Sequence, residues 1–322
     1  MSDLTDKIVD RRNLRRKLFF WRGAFFILIL VGAMGLIRSN ELPLAAEKHI
    51  ARVLIQGEIV FDQSIRETLE KIGKDENVQG VILSINSPGG GVSASEDLYL
   101  SLRELGEKKP MVSFITSVGA SGAYIAALSS DHIVARETAI VGSIGVIMQY
   151  HNIGKLMHTI GIEPDSVKSA PLKAEPSGYA PISPEVRRSM QELIDDAFLW
   201  FKNLVMERRK LNQEEVKQVS DGRVFSARTG LSLKLIDFLG TEKTVITWME
   251  DKYNLEKNLP VKETKLKQEK KPLNWLGVIG KLAEISGFQG ITQSINEVDS
   301  AMDISRFDGI LAIWHPAMSG QE

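Results

Sequence analysis

Residues 79–91 read QGVILSINSPGGG. The first seven form an apolar run of the kind that makes a strand buried on both faces. Pro88, Gly89, Gly90 and Gly91 then end it in a turn, where glycines reach positive φ and let backbone approach a ligand closely. Ser93 opens a helix with Leu98, Leu102 and Leu105 on one stripe, and Glu96 completes a capping box with it. The alternation continues on both sides. Residues 51–61 and 111–115 read as strands, 63–74 and 121–128 as helices, 133–135 and 159–167 as further strands. Residues 184–211 form a long helix with Leu193, Ala197, Trp200 and Leu204 on its apolar stripe, and 231–239 a shorter one closed by Gly240. Strands alternating with helices at this spacing predict an α/β fold whose strands pair mostly in parallel.

The chain has 322 residues, a formal net charge of −1 and no cysteine. Disulfides, thiolate zinc sites and a cysteine nucleophile are thereby excluded. The charge balance argues against a broad nucleic-acid surface. Residues 11–17, RRNLRRK, are a basic cluster, and 18–37 are mostly apolar, with Arg22 near the start. Twenty residues at helical rise match the hydrocarbon thickness of a bilayer. The expectation is a cytoplasmic basic segment over 1–17 and an uncleaved transmembrane signal anchor over 18–38, with the bulk of the chain on the outer side. Residues 256–271 are rich in Lys and Glu and read as a solvated linker; 273–312 receive no role.

Four segments carry candidate chemistry. The glycine run 89–91 offers backbone N–H groups to an anion, either phosphate or the oxyanion of acyl transfer, although no Gly-Lys-Ser/Thr ending follows. Residues 117–124, SVGASGAY, put Ser121 at a helix N-terminus, as a simple cap or as a nucleophile whose oxyanion would meet the Gly122 N–H. Ser143 lies between Gly142 and Gly145 in TAIVGSIGV, residues 138–146. Residues 167–173, VKSAPLK, contribute two lysines. None of His49, His132, His151, His158 and His315 sits in a loop of catalytic character. A desolvated lysine is the alternative base, and the residues alone leave Lys155, Lys168 and Lys173 open.

In this order, NSPGGG (86–91), GASGAY (119–124), VGSIGV (141–146), KSAPLK (168–173) and DGRVF (221–225), followed by LIDFLG (235–240), resemble the signal peptide peptidases, peptidase family S49 of the Clp/crotonase superfamily. The resemblance covers about residues 50–245. It implies a twisted parallel sheet with flanking helices, preceded by one transmembrane helix. It implies a Ser/Lys protease domain over 50–250, followed by a charged linker and extension over 251–322. Ser121 falls on the nucleophile, Lys173 on the general base and Ser143 on the serine that orients the lysine. Gly122 and Gly90, or else Gly89, fall on the oxyanion donors. No cofactor or metal is implied. The implied substrates are remnant signal peptides in the bacterial inner membrane, to which 18–38 would anchor the chain. Short family members resemble rings in which neighbouring subunits complete each dyad. Departures are modest: Ala123 and Lys234 stand where glycine is usual, and Gly230 where alanine is. Three rivals remain. A crotonase-type acyl-CoA enzyme needs neither serine nor lysine, a Clp-type triad would want histidine near Val146, and a non-enzymatic scaffold would have no use for the dyad.

Overall fold

The computed structural model of the chain describes residues 21–23, 25–27, 47–265 and 311–314. The chain divides into two units, 1–47 and 48–322. In the first, 21–23 and 25–27 are helical, and the expected anchor otherwise lies outside the described residues. Among the described residues no helix is long and apolar enough to cross a membrane.

The second unit is built on one mixed sheet. Its strands are β1 (His49–Ile59), β2 (Val78–Gly91), β3 (Met111–Ala120), β4 (Ile133–Ala135), β5 (Ile140–Gly142), β6 (Val224–Ser226), β7 (Phe238–Leu239), β8 (Val261–Lys265) and β9 (Leu311–Ile313). The main path runs β6-β5-β3-β2-β1-β8; β4 pairs with β3 and β7, and β9 pairs with β2. Every pairing is parallel except β5 with β6 and β2 with β9. Strands buried on both faces need apolar residues at successive positions. Val81, Ile82, Leu83 and Ile85 on β2 are all fully buried.

The alternation of side chains divides these strands between two cores. Val53, Val81, Leu83 and Ile115 join the larger cluster. It packs beneath α1 (Gln63–Lys74), α2 (Val92–Lys108), α3 (Gly122–Ala127), α5 (Pro184–Arg209) and α6 (Gln213–Val219). Ile50, Ile82, Val112, Phe114 and Val134 face the other way, onto Val245 and Met249 of α8 (Glu242–Tyr253). Helices therefore cover both faces, and the strand ends near Gly91 and Ala120 are left to build a site. The two remaining helices are short, α4 (Gly154–Thr159) and α7 (Ala227–Ser232).

Several elements differ from the sequence expectation. The glycine run is no turn: β2 extends through Gly91, with Glu58 and Ile59 of β1 paired to Gly89 and Gly90. Gly91 occupies the N-cap of α2 and Ser93 falls inside the helix, because β2 runs straight into it. Residues 160–183, where a strand was expected over 159–167, hold no strand and are mostly exposed, and burial is what an apolar strand needs. Leu193 is exposed, and Val186, Phe201, Leu204 and Val205 form the buried stripe of α5. The expected helix over 231–239 divides into the end of α7 and strand β7. The charged stretch read as a linker supplies β8, paired to β1 along its length. The charged residues Lys262, Glu263 and Lys265 suit an edge strand.

Candidate active site

Ser121 sits between the last residue of β3 and the first of α3. Its backbone has φ 56° and ψ −121°, a conformation an L-residue rarely holds. Three hydrogen bonds hold it. Its N–H donates to the Gly142 carbonyl at 2.8 Å, and its own carbonyl accepts from Tyr124 and Ile125 N–H at 2.9 and 3.1 Å. The side chain makes no capping bond, so Ser121 is not the ordinary N-cap its position allows. The residue is buried, and among the described residues Oγ has no hydrogen-bond partner. A buried hydroxyl left unpaired costs roughly 1–3 kcal/mol. Strain and an orphaned oxygen at one serine match the sharp strand-to-helix turn that exposes a nucleophile.

The glycines converge on this turn. Gly89, at φ 104°, lies so close that a Cβ there would stand 2.7 Å from the Gly122 nitrogen. A Cβ on Gly122 would stand 3.1 Å from the Gly90 nitrogen and would overlap Ser95 Oγ. Two backbone nitrogens, of Gly90 and Gly122, thus share a space that only glycine leaves open. Ser87 and Ser95 position them. The Ser87 hydroxyl accepts from Gly89 N–H at 3.1 Å, and the Ser95 hydroxyl donates to the Gly91 carbonyl at 2.8 Å. Sequence reading missed both; their only signal was a serine inside an otherwise apolar or glycine-rich stretch.

Ser143 follows Gly142, whose carbonyl holds Ser121, and also has positive φ, at 51°. Its N–H donates to the Arg223 carbonyl at 2.8 Å. That bond gives the 221–225 stretch its part: β6 pairs antiparallel with β5 and fixes the Ser143 turn. The 235–240 stretch supports Ser121 from behind. Tyr124 Oη donates to the Leu235 carbonyl at 2.6 Å, and burial holds the phenol far above its ordinary pKa. Nearby, both Asp237 oxygens accept from Arg209, at 2.8 and 3.0 Å, and Oδ2 also accepts from Ile133 N–H at 2.7 Å.

The expected base stands apart. Lys173 occupies an exposed turn over 171–174, its N–H donating to Ala170 at 3.1 Å. Ser121 Oγ has no partner among the described residues, Lys173 included, so the lysine is not within hydrogen-bond reach of it in one chain. Lys155 is exposed on α4, and Lys168 is tied to Glu175, whose carboxyl that bond holds below its usual range. Burial lowers the pKa of His132, which stacks on Trp248 at 3.9 Å with Asp237 alongside. It belongs to the Arg209–Asp237 cluster rather than to Ser121. No group of acidic or histidine side chains among the described residues could hold a metal ion. The structure therefore brings together Ser121, Ser143, Gly89, Gly90 and Gly122, and leaves Lys173 outside.

The model of peptidase family S49 matches residues 103–256, a span that includes Ser121, Ser143 and Lys173. The chain is 32% identical over 299 residues to "Putative protease MJ0651" of Methanocaldococcus jannaschii, covering 87% of this chain and 93% of that protein. It is 34% identical over 206 residues to "Putative protease slr0021" of Synechocystis sp., covering 63% and 74%. To "Putative signal peptide peptidase SppA" of Enterococcus faecium it is 31% identical over 231 residues, covering 71% and 66%.

Proposed function

Because the chain belongs to peptidase family S49 and is a serine-type peptidase, we propose that it is a membrane-anchored endopeptidase with a Ser121/Lys173 dyad, acting on remnant signal peptides. The observation that carries this reading is Ser121 itself. It is strained and buried, its hydroxyl is unpaired, and the Gly90 and Gly122 nitrogens lie beside it. Lys173 takes the Ser121 proton as Oγ attacks the scissile carbonyl. The Gly90 and Gly122 N–H groups hold the oxyanion. The lysine, oriented by Ser143, then protonates the leaving amine and activates water for deacylation. No step calls on a metal or cofactor.

Lys173 acts from the neighbouring subunit of a homo-oligomeric ring. Two observations favour this. Ser121 Oγ has no hydrogen-bond partner among the described residues of its own chain. The stretch that carries Lys173 also exposes Ile153, Leu156, Ile160, Ile162, Val167 and Leu172, more apolar surface than a lone subunit comfortably shows to water. The signal-peptide role draws on the name of the Enterococcus faecium relative and on the basic and apolar residues 11–38, which would anchor the chain in an inner membrane with its catalytic unit outside.

The test is labelling by a fluorescent fluorophosphonate in detergent. Wild type is expected to label, and Ser121→Ala and Lys173→Ala to lose labelling by at least about 100-fold, the scale of a general base. Full labelling in Lys173→Ala would sink the dyad and leave the nucleophile.

A further inference from the structure

Residues 155–177 carry the candidate base and lean little on the rest of the chain. Among the described residues, their hydrogen bonds all stay within 153–177. Neither buried core draws a residue from 147–183, and α4 buries none. The attachment lies at the root of the stretch. Ile153 N–H donates to the Gly178 carbonyl at 2.8 Å, and Asn152 Nδ2 to the Ala180 carbonyl at 3.1 Å. The stretch is thus an arm closed at its base, and the direction of Lys173 within one chain is set inside it.

Inside the arm the usual pattern of burial is inverted. Val167 is fully exposed and Leu172 partly so, whereas the Lys168 and Glu175 side chains are only 21% and 18% exposed. Lys168 Nζ donates to Glu175 Oε1, and Glu175 Oε2 accepts from Ser177 N–H at 3.0 Å. Sequestering two charges costs desolvation and side-chain entropy, which a merely solvated loop has no reason to incur. What lies between them supplies the reason. Lys173 N–H donates to the Ala170 carbonyl at 3.1 Å and Glu175 N–H to the Leu172 carbonyl at 3.3 Å, and Ala174 reverses the chain with φ 60°. The ion pair closes this double turn end to end, with Lys173 inside the closed loop.

We propose that Lys168 and Glu175 are positioning residues that lock the Lys173 turn in the geometry its role as base requires. This rests on the dyad reading above. The Glu175 carboxylate holds the Lys168 ammonium on one side of Lys173 and the Ser177 amide on the other, so the backbone that carries Lys173 is pinned both before and after it. A base delivered to a neighbouring subunit gains nothing from the turn around its own Ser121. The arm has to hold the lysine ready before the subunits meet, and a clasp made of the arm's own residues does so.

Fluorophosphonate labelling of the full chain in detergent, followed against time and probe concentration, tests this. It separates the maximal rate of attack by Ser121 from affinity for the probe. Lys168→Met and Glu175→Gln are near-isosteric and remove the pair. Each is expected to lower the maximal labelling rate between about 10- and 100-fold, the cost of displacing a catalytic group by about 1 Å. Probe affinity, oligomer size by light scattering and melting temperature should stay at wild-type values, since neither core includes the pair. Lys168→Met/Glu175→Gln should label no more slowly than the slower single variant, because residues that act as one unit are not additive. Single variants that label at the wild-type rate, beside a silent Lys173→Ala, overturn the positioning role and leave the dyad standing. A Lys173→Ala chain that labels fully overturns both. Losses that multiply in the double variant, that appear in Lys168→Met alone, or that fall only on probe affinity overturn the pair as a unit. Slow labelling that tracks a smaller oligomer overturns it too, since the clasp would then be an assembly contact.

Discussion

Ser121 holds a backbone conformation that costs roughly 1–3 kcal/mol for a residue with a Cβ, and it adds the cost of an unpaired buried hydroxyl. Glycine there removes both costs and forfeits about 0.5–1 kcal/mol of chain entropy. Ser121→Gly is therefore expected to be the more stable protein, by about 1 kcal/mol, while taking no fluorophosphonate. Thermal unfolding in one detergent measures this as a rise of about 2–4 °C. A variant less stable than wild type would show that the turn is unstrained and that its geometry stores nothing for catalysis. Gly122→Ala should act oppositely, because its Cβ meets Ser95 Oγ and approaches the Ala312 oxygen. A stability loss of about 1–3 kcal/mol is expected, with a fall in the rate of casein hydrolysis. The identity of these residues was legible, since a serine between small residues after a strand is a local signal. The strain was not legible, because φ at Ser121 is fixed by the Gly142 carbonyl across the sheet, a contact no local pattern encodes. Nor could the sequence place Lys173, which the fold leaves in an exposed turn.

Among the elements, the long helix α5 and the buried strands were readable because their apolar periods run over many residues. Strands β7, β8 and β9 were not. They are short or polar, and each exists because a distant strand offers it an edge. The cluster joining α5 to the β4 and β7 ends is of the same non-local kind. Arg209 is almost fully buried, and Asp237 serves it and the Ile133 amide together. Asp237→Ala strands that guanidinium and should cost about 3 kcal/mol, read as a lower urea midpoint with an unchanged slope. An unaltered midpoint would mean that the pair contributes no more than a surface bridge. His132 in this cluster gives a pH dependence. Burial lowers its folded pKa below the ordinary 6.5, so the unfolded chain binds the proton more readily. Its contribution is fully present above pH 6.5 and is lost as pH falls through the folded value. His132→Phe keeps a ring against Trp248 and cannot titrate. The fall of its melting temperature below pH 6.5 should be shallower than that of wild type, and equal slopes would remove His132 as a source of acid sensitivity.

For the whole molecule the question is whether one chain suffices. Ser121, Ser143 and the glycine donors assemble within a single fold, while Lys173 lies outside hydrogen-bond reach on a stretch with an exposed apolar face. If each site takes Ser121 from one subunit and Lys173 from the next, Ser121→Ala and Lys173→Ala chains are each inactive alone but carry complementary halves. In a closed heterologous ring each interface joins two different surfaces, so every junction is a site. Equal, random mixing puts an intact Ser121 beside an intact Lys173 at about one junction in four. Co-expressed variants should then recover about a quarter of wild-type casein hydrolysis, whereas variants purified separately and diluted below their assembly concentration should recover none. A dyad formed within one chain predicts no recovery under either condition, since every chain lacks one member.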